Sequence, residues 1–263
     1  MTKQHTIDLI AAARPNFMKV APLYHALQKE PWAKTRLIHT GQHYDPNMSE
    51  AFFNDLGLPA PDKHLGVGSA THARQTAGVM IAYEELCLQS PPDWVIVVGD
   101  VNSTVACALV GAKLHIPVAH LEAGLRSGDR EMPEEINRLV TDSIADLLWT
   151  PSSDADENLV AEGVPAEKIE MIGNIMIDSF EMMREQIEAS NIRKALALDN
   201  HYGVVTLHRP SNVDDPVVLQ SLVEQLATVA GRIPLVFPVH PRTNKQLEKH
   251  GLLEMLIASP GIL

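Results

Sequence analysis

Short apolar runs alternate with longer amphipathic stretches along the chain. Ile7 to Ala13 predicts a strand, Lys19 to Gln28 a helix and Arg36 to Thr40 a second strand. Trp94 to Val98 (WVIVV) is the strongest β-branched run; a small-residue helix over Thr104 to Leu114 follows it, with Asn102 or Ser103 as candidate cap. Pro117 to Leu121 predicts a strand, Glu134 to Leu148 a helix and Lys168 to Ile172 a strand. After Gly173 the pattern restarts. Helix Asp178 to Glu188 leads to strand Gly203 to Leu207, helix Pro216 to Ala230, strand Leu235 to Val239 and a helix from about Thr243. Such alternation implies parallel pairing through right-handed crossovers. The expected class is α/β, with one Rossmann-like doubly wound domain over residues 1–175 and a second over 176–263. The second supplies two clear strands where such a domain usually needs roughly five or six, so it is expected to be incomplete here, with Gly261-Ile262-Leu263 as the approach to another strand.

Composition narrows this little. The chain has 263 residues, 45% hydrophobic and 21% charged, which is ordinary for a globular protein. The net charge of −12 argues against a duplex nucleic acid partner, which calls for a basic face, yet leaves room for an anionic small ligand in a local basic cleft. Cys87 and Cys107 lie in apolar stretches and read as buried free thiols. Met1 to His5 is short and polar, no apolar run approaches a membrane span, and a soluble cytoplasmic protein is expected.

Ligands of open α/β sheets bind at the carboxyl ends of strands, so polar residues just after the strands are the candidates. Arg14 and Lys19 follow the first strand, where a helix N-terminus favours an anion; two solvated cations on a capped helix fit the same residues. Gly41-Gln42-His43-Tyr44-Asp45 follows the second, and ordinary turn chemistry accounts for it equally. Asp100 follows WVIVV and either faces the crevice or caps the next helix. Glu122 ends an apolar strand, where an acid needs a partner or a task, and Arg126 is a candidate partner. In Pro133-Glu134-Glu135-Ile136-Asn137-Arg138 the acids suit a helix start, and Glu134 with Arg138 suits a surface pair. His208-Arg209 and His240-Pro241-Arg242 each follow a strand of the second domain. The 12 histidines form no metal-ligand spacing, and no metal is expected.

In order, ARPNFMKVAPL, TGQHYD, VVGDVNSTVA, HLEAGLRS, PEEINR, the GN-x-x-ID run (Gly173 to Asp178), HRPSN and PVHPR resemble the non-hydrolysing UDP-N-acetylglucosamine 2-epimerases. The resemblance implies two Rossmann-like domains facing a cleft, as in two-Rossmann glycosyltransferases. It implies interconversion of UDP-GlcNAc and UDP-ManNAc by elimination and re-addition of UDP, with no metal or redox cofactor. It puts Asp100, Glu122 and Glu134 in the acid/base group, with His208 counted among the catalytic residues. It puts Arg14, Lys19, Arg138, Arg209 and His240 around phosphate and sugar. Gln42, His43, Arg74 and Gln75 match a regulatory site for a second UDP-GlcNAc, whereas Tyr44 and Asp45 depart from the form of many bacterial members. A homodimer through the first domain's helices is implied as well. The family's later DSGG-x-QEE segment, which grips diphosphate and uridine, has no counterpart in the 263 residues, so weak UDP binding and little turnover are expected of them. The alternatives are a hydrolysing epimerase, a two-Rossmann glycosyltransferase and an inactive fragment.

Overall fold

A computed structural model describes residues 3–12, 14–41, 53–198 and 201–263; of Arg14 and Pro15 it describes the backbone alone. Its contacts fall into two units, Met1–Glu185 and Gln186–Leu263.

Unit 1 is built on a parallel sheet of seven strands: β1 (His5–Ala11), β2 (Ala33–His39), β3 (Lys63–His64), β4 (Trp94–Val98), β5 (Val118–Leu121), β6 (Leu147–Thr150) and β7 (Ile169–Met171). The order across the sheet is β3-β2-β1-β4-β5-β6-β7, so the winding reverses between β1 and β4, where Ile7 lies opposite Trp94. The connecting helices are α1 (Arg14–Leu27), α2 (His72–Gln89), α3 (Asn102–Lys113), α4 (Pro133–Ile144), α5 (Ser153–Ala161) and α6 (Ile175–Ala189).

Both faces of this sheet are covered, which explains the unbroken apolar strands. Val95 and Val97 point into a core with Val79, Tyr83, Val110 and Leu148, while Ile96 and Val98 point into another with Leu9, Phe17, Val20 and Leu37. Burying each such aliphatic side chain fully contributes about 1.5–3 kcal/mol. The free thiols Cys87 and Cys107 belong to the first core.

One expected helix is shorter than its pattern. Glu134 to Leu148 ends as a helix at Ile144, and Leu147–Thr150 is a strand. Ala145 turns extended, with φ −69° and ψ 149°. Asp146 then docks on β5: its amide donates to the Val118 carbonyl at 2.8 Å and its carboxylate accepts from the Val118 amide at 3.0 Å. That clamp sets Leu147 beside Ala119 and starts β6.

Unit 2 holds two parallel strands, β8 (Gly203–Val204) and β9 (Leu235–Val236), and Leu235 bridges on to Ile262. Its helices are α7 (Ile192–Ala195), α8 (Pro210–Val213), α9 (Pro216–Ala230), α10 (Pro241–Lys249) and α11 (Leu253–Ala258). Asp215 caps α9, accepting from the Val217 and Val218 amides at 2.8 and 3.2 Å. Val213, Leu219, Val223, Phe237 and Leu247 form its core. Among the described residues no helix is long and apolar enough to cross a membrane.

Candidate active site

The reversal between β1 and β4 opens a crevice at the carboxyl ends of the strands, the usual ligand position in open α/β sheets. Gly99 ends β4 with φ +67°, a backbone that L side chains rarely adopt. Around it converge three groups: the Lys19 Nζ and Asn16 Nδ2 from α1, and the Glu122 Oε2 from beyond β5. The Asn16 amide donates to the Val98 carbonyl at 3.0 Å, which locks the start of α1 to the end of β4.

Lys19 and Glu122 form an ion pair in this corner, both largely shielded from solvent. Glu122 itself has φ +71°. For a residue with a Cβ such a backbone costs on the order of 1–3 kcal/mol, and strain of this kind clusters at functional sites. Arg126, the partner expected for Glu122, goes elsewhere: it reaches Asp142 at 2.8 Å and Glu162 at 2.7 Å. The reason is local. Those two carboxylates lie on α4 and just past α5, on the side to which the chain turns at Gly124, whereas Lys19 reaches Glu122 from α1.

Asp100 accepts from Arg138, at 2.6 Å from Nη2 and 3.1 Å from Nε. It does not cap α3, whose N-cap is Val101. The expected pair of Glu134 with Arg138 is replaced by Glu135 with Arg138, at 2.7 Å. Glu135 is the buried acid of the two, and its position is fixed by the Ser127 and Gly128 amides, which donate to its carboxylate at 3.0–3.1 Å. Burial opposes its charge, but the amides and the guanidinium outweigh it and pull the carboxyl down to about 2. Glu134 has no hydrogen bond or ion pair among the described residues. It lines a cleft of about 130 Å³ with His72, Gln75, Asp100, Asn102 and Asn137.

The structure therefore brings Asp100 and Glu134 to one cleft, beside the Lys19–Glu122 corner, with Arg138 tied to Asp100. Of the regulatory candidates, Gln75 is buried on α2 and accepts from Asn102 at 2.7 Å, so it borders the same cleft; Arg74 is exposed beside it. Gln42 and His43 lie outside the described residues, as does the Arg14 side chain. In unit 2, His208, Arg209 and His240 are exposed, and the His208 and His240 rings lie 5.6 Å apart. His240 caps α10, its Nδ1 accepting from the Arg242 amide at 3.2 Å. That leaves its Nε2 outward as a donor.

Sequence reasoning missed Asn102 and Asn137 as working parts. The Asn137 amide donates to the Asp100 carbonyl at 2.8 Å and to Asn102 at 3.3 Å, bracing the Asp100 turn. Asn137 sits three residues after Glu134, on the same helical face, and that spacing was the available signal.

Asp100, Glu122 and Glu134 with Lys19 and Arg138 lie at the carboxyl ends of a doubly wound parallel sheet, the usual ligand position of α/β enzymes. A family model described as UDP-N-acetylglucosamine 2-epimerase matches residues 25–260, and the chain belongs to that family. A UDP-N-acetylglucosamine 2-epimerase of Methanocaldococcus jannaschii is 40% identical over 264 residues, 97% of this chain and 71% of the relative. A UDP-2,3-diacetamido-2,3-dideoxy-D-glucuronate 2-epimerase of Pseudomonas aeruginosa is 43% identical over 255 residues, 95% and 71% of the two chains. The crystal structure of the Methanocaldococcus jannaschii enzyme in complex with UDP-GlcNAc and UDP superposes with a TM-score of 0.87 at 39% identity, covering 98% of this chain and 72% of that one.

Proposed function

We propose that the protein epimerises carbon 2 of a UDP-activated 2-acetamido sugar, interconverting UDP-GlcNAc and UDP-ManNAc. A carboxylate takes the carbon 2 proton while the carbon 1–oxygen bond to UDP breaks, leaving a 2-acetamidoglucal. A proton then returns to the opposite face of carbon 2 as UDP adds back to carbon 1. The observation that supports this reading most is the placing of Asp100 and Glu134 in one cleft beside the Lys19–Glu122 pair. Removing so weak an acid's proton needs a positioned base, and returning it needs a second acid; such groups contribute about 10² to 10⁴-fold each. Glu134, with no hydrogen bond or ion pair among the described residues, is the carboxylate of the cleft left free to meet the substrate. Lys19 and Arg138 offer charge to the departing diphosphate. Arg14, His208, Arg209 and His240 are assigned to phosphate and sugar on the family resemblance, as are the regulatory role of Gln42, His43, Arg74 and Gln75 and a homodimer; a cytoplasmic setting is proposed from the sequence.

Incubation with UDP-GlcNAc in deuterium oxide tests the reading. Deuterium at carbon 2 of whatever UDP-ManNAc forms is expected, however slow the turnover. Product with protium retained there, or free ManNAc with UDP released, would overturn it. The Pseudomonas aeruginosa relative favours a second substrate, a 2,3-diacetamido glucuronate on UDP, which the same chemistry would serve; comparing kcat/KM for the two substrates decides between them.

A further inference from the structure

His120 is fully buried on β5, yet neither an exposed surface nor the cleft accounts for it. Its Nε2 lies 2.9 Å from the Gly99 carbonyl oxygen and its Nδ1 2.6 Å from the Asp142 Oδ1. A carbonyl can only accept, so Nε2 carries a hydrogen, and the Nδ1 side shares a proton with Asp142. The other Asp142 oxygen accepts from the Gly124 amide at 3.0 Å and from Arg126 at 2.8 Å. One buried carboxylate thus holds two turns. Through His120 it holds Gly99, the residue before Asp100, and through Gly124 it holds the turn that carries Glu122. Gly99 is clamped on both sides, because its own amide donates to the Leu121 carbonyl at 3.0 Å.

We propose that His120 and Asp142 are positioning residues that set Asp100 against Glu122. This rests on the epimerase reading above. Asp142 fits the task as an ionised anchor: burial opposes its charge, but His120 and Arg126 outweigh that and hold its carboxyl below the ordinary range.

Two side chains separate the halves of the imidazole. In His120→Asn the amide stands near Nδ1, keeping Asp142 and losing Gly99. In His120→Gln the amide reaches the place of Nε2 and keeps Gly99. A misplacement of about 1 Å costs about 10²-fold in rate. His120→Asn is expected to lower kcat by about that factor, with KM moving less than about threefold, and His120→Gln to recover much of the loss. Carbonyl NMR supplies a readout without turnover: the Gly99 carbonyl carbon shift should move in His120→Asn, which removes its Nε2 donor, while the Gly124 amide, still held by Asp142, keeps its exchange protection. Wild-type kcat in folded His120→Asn, or equal losses in both variants spread over kcat and KM, would overturn the proposal, and so would an unchanged Gly99 carbonyl shift. If the wild-type protein fails to exchange the carbon 2 proton, the epimerase reading falls. The Gly99 carbonyl shift then decides this proposal on its own: a change keeps the clamp and its positioning of Asp100 and Glu122, and no change ends it.

Discussion

In unit 1 two of the three candidate carboxylates are met by the protein itself, Glu122 by Lys19 and Asp100 by Arg138, beside a Glu135 held by two amides and Arg138; Glu134 alone faces the cleft without such a partner among the described residues. In unit 2 the candidates stand in water, with His208, Arg209 and His240 exposed, and the Arg242–Asp214 pair lies on the surface. The long sheet with two covered faces can hold oriented charge at its strand ends; two short strands present donors on loops. Prepaid orientation favours chemistry, because bonds already made need no rearrangement in the transition state. Exposed donors favour binding, since a ligand can displace their water.

Substituting the carboxylates tests this contrast most severely. In a version of the protein that carries the later DSGG-x-QEE segment, Asp100→Asn, Glu122→Gln and Glu134→Gln are each expected to lower turnover by about 10² to 10⁴-fold. They should differ in stability. Glu134→Gln should leave the unfolding midpoint unchanged, while Glu122→Gln, which breaks the Lys19 pair, should lower it. Normal turnover in all three would break the assignment.

Next in size is Gly124→Ala. Gly124 has φ +79°, and an added Cβ would stand 2.4 Å from the Ala155 carbonyl oxygen on α5. Backbone strain and overpacking together should cost about 3 kcal/mol or more, read from denaturant unfolding.

The pH dependence sharpens the picture of unit 1. Glu135 titrates near 2 in the folded protein against its ordinary 4.5. A depressed folded value gives stabilisation that is complete above about pH 5 and is lost as pH falls from 4.5 towards 2. The loss should be on the order of 3 kcal/mol, and Glu135→Gln should remove that acid-dependent component. An identical acid slope in the variant would assign the effect elsewhere.

The smallest effect is expected in unit 2. Arg242→Ala removes a surface pair with Asp214, held by solvent-screened charge, and the unfolding midpoint should not move measurably. A clear drop would show that unit 2 also depends on oriented charge.

The strands with β-branched runs were legible from the sequence, WVIVV above all, because local propensity and burial agree there. The candidate carboxylates were legible from their places after strands. Their partners were not. Glu122 meets Lys19 across 103 residues of sequence and Asp100 meets Arg138 across 38, and nothing in local spacing distinguishes Arg126 or Glu134 as the wrong choice. The strand at Leu147–Thr150 was hidden for a similar reason. Its apolar pattern continues that of α4, and only the docking of Asp146 on Val118 ends the helix. Helices α2 and α5 and strand β3 were also not anticipated. The two surface-distant turns that Asp142 ties together depend on a histidine that looks, in sequence, like one more strand residue.

The winding order has a consequence for synthesis. β1 pairs on one side with β2, its immediate successor, and on the other with β4, whose Trp94 meets Ile7. A chain emerging from the ribosome can close the first pairing early, but β1 keeps an open flank until β4 arrives. Pairing across such sequence separation is slow, and an unpaired apolar strand invites association meanwhile. The crevice waits longer still. Asn16 and Lys19 are made more than a hundred residues before Arg138 and Asp142, so a nascent chain stalled between them would hold Lys19 without the anchors of Asp100 and the Gly99 turn.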